Sequence, residues 1–129
     1  MRYLFPTAAF IAAVAALPAA AQTSEADFVH KASVTNIFEI ESSQLALQRT
    51  QNPAIRDFAQ KMIDDHTLAS AQLQTAANTA ALGIQPDIAL DAGHQADIDA
   101  LSNATSGGFD HLYVELQAHA HEDAFDLYG

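Results

Sequence analysis

The stretch LALQRTQNPAIRDFAQKM, residues 45–62, holds the feature that decides the fold: Asn52-Pro53, set between two long helical patterns. An Asn side chain accepts from the free N–H groups of a helix start, and Pro is tolerated at the first helical position, where no N–H is needed. A helix therefore begins here, and the one before it must have ended. Upstream, Ser24 with Asp27 three residues on opens that earlier helix, predicted to run to about Thr50. Downstream, the second helix is predicted to reach about Leu82, where Gly83 is the natural left-handed terminator. Two long helices joined by so short a turn fold back as an antiparallel hairpin.

Further along, residues 84–90 carry Pro86 and read as a connecting loop. A shorter helix is predicted from about Asp91 to Asn103, with Gly93 weakening it. Ser106-Gly107-Gly108 breaks the chain again before a last helix, about Gly108 to Tyr128. Ala, Leu, Gln, Asp and Glu dominate throughout, and no alternating β-branched run occurs. The expected fold is all-α, an antiparallel up-and-down helical bundle.

Composition narrows the function. With 129 residues and 50% hydrophobic content, the chain supports one small domain. Five Lys and Arg stand against 16 Asp and Glu, a formal charge of −11, so no basic surface exists to neutralise phosphates. Nucleic acid is excluded as a partner, as is a polybasic contact with anionic lipid. The absence of Cys removes disulfides, thiolate metal sites and a Cys nucleophile.

Residues 1–21 read as a secretory signal. Arg2 supplies the only charge, AAFIAAVAAL (residues 8–17) is a short apolar core, and Pro18 precedes Ala19-Ala20-Ala21, with cleavage expected after Ala21. That core is too short to span a bilayer comfortably, and no second apolar run follows. The expectation is an exported domain over residues 22–129 with no transmembrane segment.

Polar residues on apolar stripes carry the chemical information, because burial makes them costly. At 100° per residue, the first helix places Val34, Ile37, Phe38, Ile40, Gln44, Leu45 and Leu47 on one arc with Glu41 at its middle. Glu39 falls on the opposite side with Thr35, Ser42 and Ala46. On the second helix, Ile55, Phe58, Ala59, Met62, Ala69 and Leu73 form a stripe with His66 at its centre, Asp65 at its edge and Asp64 opposite. On the last helix, His121 flanks the Phe109, Tyr113, Leu116 and Ala120 stripe, whereas His119 lies on the polar side. Folding about residues 51–52 brings Glu41 opposite Met62, with His66 about one helical turn (~5 Å) further along. A carboxylate and imidazoles inside a bundle are the composition of a Zn, Fe or Mn site. A buried Glu–His pair that only fixes register has the same composition.

Other catalytic signals are missing. There is no Gly-rich phosphate loop, no G-x-S-x-G elbow and no His-Glu-x-x-His, and Ser42 and Ser43 have no local His base. The dinuclear Glu-x-x-His pattern fails at His66, because position 63 is Ile63.

Phe28-Val29-x-Lys31-Ala32, Glu39-x-Glu41, the block from Asn52 to His66, Leu101, Ser106-Gly107, Phe109-Asp110-x-x-Tyr113 and His121 together resemble the bacterial domain-of-unknown-function family 4142. The Phe-Ala-Gln-x-Met-x-Asp-Asp-His run, Phe58 to His66 with Lys61 inside it, is the most specific part. The resemblance implies an exported, ferritin-like helical bundle, often labelled an outer-membrane protein, and brings no established reaction. Its polar positions correspond here to Glu39, Glu41, Asp65, His66 and His121. Such proteins continue into a further helix, so the expectation is a bundle lacking its final helix. An apolar stripe left open in that way favours a homodimer or an envelope partner. Neither a spanning helix nor alternating barrel strands can be read in residues 22–129, which makes a periplasmic or peripheral outer-membrane location the expectation.

Two functions stay open. One is a non-catalytic envelope protein acting by protein interaction or self-association. The other is a ferritin-like protein binding Fe, Zn or Mn through Glu41, His66 and His121, with Asp65 beside them, for metal storage or stress protection.

Overall fold

The computed structural model describes residues 24–81 and 83–128, so the expected signal segment lies outside the described residues. Four helices follow in order: α1 (Glu25–Arg49), α2 (Pro53–Thr79), α3 (Ala92–Asn103) and α4 (Phe109–Tyr128). No strand occurs among the described residues. No described helix is long and apolar enough to cross a membrane.

The caps read from sequence at Ser24 and Asn52 are in place, and Asp91, read as the approximate start of the third helix, is its cap. Ser24 Oγ accepts from Asp27 N, Asn52 Oδ1 from Ala54 N, and Asp91 Oδ1 from His94 N, each satisfying an N–H that has no partner within its helix. The end of α2 differs. The helix stops at Thr79, ahead of the expected Leu82, and Ala81 takes the left-handed conformation at φ +53°. Gly83, at φ +68°, then makes a second left-handed turn.

α1 packs against all three other helices, and α3 also packs on α4. Directions follow from the bonds between them. Arg56 Nη1 donates to Leu47 O, and His66 Nδ1 meets Asn36 Oδ1 at 2.9 Å, so α2 runs back along α1. Arg49 donates to the carbonyls of Leu101, Ser102 and Ala104 and lies over the Phe109 ring at 4.6 Å. A cation at the C-terminal end of α3 complements its dipole and fills carbonyls left open there. It also sets α3 parallel to α1. Ser43 Oγ to Tyr113 Oη (2.8 Å) and Gln117 Nε2 to Ser42 Oγ (2.9 Å) run α4 antiparallel to α1. The result is an up-down-up-down all-α bundle.

Loop 83–90 is tied to the start of α1 through Asp87. Its carboxylate meets His30 Nδ1 at 2.7 Å, and its N–H donates to Ser33 Oγ. The apolar core centres on Ala46, Ala59, Leu101, Phe109 and Tyr113, with Phe38, Ile98 and Ala120 forming a second cluster beside it.

Central placement of α1 changes which of its faces is inside. Asn36, Glu39, Ser42, Ser43 and Ala46 are buried, whereas Glu41 and Gln44 are exposed. The face that hydropathy assigns to the far side is thus an interior one. Small and hydrogen-bonding residues line it because they let α4 approach closely and give Tyr113 and Gln117 partners.

Candidate metal centre

Glu39 on α1, His66 on α2 and His121 on α4 meet where the three helices pass one another. Each can offer one ligand atom, and these atoms all lie within 4.8 Å of one another. Glu39 is 1% exposed, and its Oε2 has no hydrogen-bond partner. Its Oε1 is 3.6 Å from His121 Nδ1, beyond ordinary hydrogen-bond length. A buried carboxylate oxygen without a donor is expensive, and a cation is one group that would satisfy it.

The two imidazoles are oriented by their other nitrogens. His66 Nδ1 faces Asn36 Oδ1 at 2.9 Å, and His121 Nδ1 faces the carbonyl of Gln117 at 2.8 Å. Both oxygens accept, so in these bonds each Nδ1 carries the proton. Outer hydrogen bonds of this type orient metal-binding histidines and fix their tautomer. The rings stand almost perpendicular, 88° apart, with centroids at 6.3 Å. Phe58 borders His121, and a groove of about 430 Å³ lined by Ile55, Phe58, Val114 and Ala118 opens beside it. His121 is half exposed, so the group is closed toward the core and open toward this groove.

Burial governs the protonation states. It pushes the Glu39 carboxyl up to about 7, against the pull of His121, Gln117 and His94. Burial lowers the pKa of His66, the nearby His121 lowers it further, and Asp65 works the other way. A lowered imidazole pKa keeps the ring neutral near pH 7, the form that binds metals. Tyr113, one turn below, is pushed up to about 12 by burial first, with the Glu39 charge adding to the rise and the Ser43 hydrogen bond opposing it.

Of the sequence-derived candidates, His66 and His121 come together as ligand donors and Glu41 does not join them. Glu41 is exposed, and Glu39 takes the interior place. The hairpin register is right, since Asn36 and His66 are opposite one another, but the rotation of α1 is not. Asp65 lies at the surface, paired with Lys61 one turn back, and acts on His66 only through its charge. The signal for Glu39 was present: Ser42, Ser43 and Ala46 share its side of the helix, and a run of small residues marks close helix packing as surely as Leu and Ile mark a core.

One carboxylate and two imidazoles make a borderline donor set that suits Zn, Fe or Mn, with positions left for water on the exposed side. No curated protein and no solved structure matches this chain. The model of a domain of unknown function, DUF4142, matches residues 11–129, and the chain belongs to that family.

Proposed function

We propose that this protein binds a divalent transition metal, Zn, Fe or Mn, through Glu39, His66 and His121. The observation that supports the reading is the convergence of their ligand atoms within 4.8 Å, on three helices, around a buried carboxylate oxygen that has no other partner. A register-fixing Glu–His pair would engage both carboxylate oxygens or close the 3.6 Å gap to His121. A bound ion would supply a Lewis-acid centre with open positions, and the chain's own residues hold it and shield it from the core side. The role is metal holding or protection in the cell envelope, and the reading assigns no reaction. Export is inferred from the basic, apolar and small-residue pattern of residues 1–21.

Protein interaction is a second reading, and one observation favours it. Val114 and Phe125 on α4 are 51% and 76% exposed, on the same side as the groove beside His121.

The test is the metal content of tag-free protein produced with its leader, together with His66→Ala, Glu39→Gln and Glu41→Gln. Near-stoichiometric metal, lost in the first two variants and kept in Glu41→Gln, is expected. Metal-free protein that folds normally and takes up no Zn or Fe on titration would overturn the proposal. The mass of the protein recovered from the periplasmic fraction tests cleavage after Ala21.

A further inference from the structure

A second group of metal-binding side chains lies on the other flank of α1, between α3 and α4. His94 and Asp97 are one turn apart on α3, and His119 and Asp123 are one turn apart on α4. All four line one cavity of about 270 Å³, whose floor is formed by Phe38, Leu116 and Ala120. Residues three or four apart on a helix project from the same face, so each helix presents an imidazole and a carboxylate to the same space.

His94 is already oriented. Its Nδ1 lies 2.8 Å from Asp91 Oδ1, and the same oxygen accepts from the His94 backbone N–H as the cap of α3. The His94 ring also packs on Phe38, with centroids at 5.2 Å. The Asp91 carboxylate therefore accepts from His94 Nδ1–H and leaves the Nε2 lone pair free, an arrangement that recurs behind metal-bound histidines. His119 is 71% exposed and loosely placed, with Glu122 at 4.0 Å. Asp91 and Asp123 also line the adjoining cavity with Asp126, His30 and Lys31, so three carboxylates outweigh one lysine at the opening on a chain of formal charge −11. Such a field concentrates cations at the cavity mouth.

We propose that His94, Asp97, His119 and Asp123 form a second binding site for a borderline divalent cation such as Zn²⁺, Ni²⁺ or Cu²⁺. Two imidazoles select these ions over Mg²⁺ and Ca²⁺, which take oxygen ligands. The site is not drawn together as the Glu39 group is, because His119 and Asp123 must leave exposed rotamers to close on an ion. It therefore binds more weakly and fills second. It shares no residue with the Glu39 group, although the His94 charge reaches Glu39.

The experiment is calorimetric titration of chelator-stripped, tag-free protein with ZnCl₂ at neutral pH, repeated on four variants. His119→Ala and Asp123→Asn alter exposed side chains and leave the fold intact, which circular dichroism verifies. His66→Ala reports the other group, and His111→Ala controls for adventitious binding to an exposed His. Two bound Zn²⁺ per chain are expected in the unaltered protein and in His111→Ala. The weaker step should be lost, or weakened by about ten-fold or more, in His119→Ala and Asp123→Asn and retained in His66→Ala. A single Zn²⁺ lost with His119→Ala but kept in His66→Ala would support this site and refute the Glu39 one. Titrations of His119→Ala and Asp123→Asn that superimpose on the unaltered protein would overturn the proposal, as would an absence of binding.

Discussion

Glu39→Gln is the most informative single change, because its effect on stability should depend on pH in a direction the structure dictates. The carboxyl sits at about 7 in the folded chain against 4.5 for a free Glu, mainly through burial. Between those values the folded state binds the proton that the unfolded state has released, so stability falls as pH rises. The contribution is fully present below the unfolded pKa and is gone once pH has passed the folded one. A shift of this size corresponds to about 3 kcal/mol at 1.36 kcal/mol per unit, with the opposing pull of His121 already inside it. Gln keeps the size and loses the titration. Metal-free Glu39→Gln should therefore gain on the parent chain by up to about 3 kcal/mol between about pH 4 and about pH 8. The assay is urea unfolding followed by far-UV circular dichroism in the presence of chelator, since the chain has no Trp to report. With Zn²⁺ at a thousand times its Kd the order should reverse, because a ligand that binds only the folded parent then stabilises it by about 4 kcal/mol. A pH-independent difference between the two proteins would refute the claim that burial of Glu39 outweighs the pull of its neighbours.

Arg49→Ala should destabilise by about 2–3 kcal/mol, read as a lower urea midpoint, because three carbonyls at the end of α3 lose a charged donor. Ala81→Gly should stabilise by about 0.5–1 kcal/mol, since it removes the Cβ strain of a left-handed residue at φ +53°. Ser43→Ala leaves the buried Tyr113 hydroxyl unpaired and should destabilise by about 1–3 kcal/mol. Adding Tyr113→Phe should recover much of that loss, and a double-mutant cycle showing strict additivity would refute a direct bond between them.

Helix starts were legible in the sequence because capping is local. Ser24, Asn52 and Asp91 act within three residues of themselves, and no distant contact can overrule the N–H groups they satisfy. The hairpin and its register followed from the same local facts, since a short turn at residues 50–52 leaves two long helices one way to pair. The end of α2 was less legible. Gly83 can terminate a helix, but the chain leaves helical geometry earlier, at Ala80 and Ala81, and hydropathy carries no record of that. Nor was Arg49 legible as the residue that closes α3, because its partners are 52 to 55 positions away.

Sequence by itself determined an all-α chain with four helices, their starts, the antiparallel pairing of the first two, and His66 and His121 as inward candidates. Tertiary structure decided which glutamate joins them. A hydropathy arc locates the interior of a helix that has one buried side, and α1 has neighbours on three. Its large aliphatics are shared between those contacts, while Asn36 bonds to α2 and Ser42 and Ser43 bond to α4 on the face that also carries Glu39. Rotation of a central helix is set by the sum of its packing contacts, a quantity that does not exist until the other helices are in place.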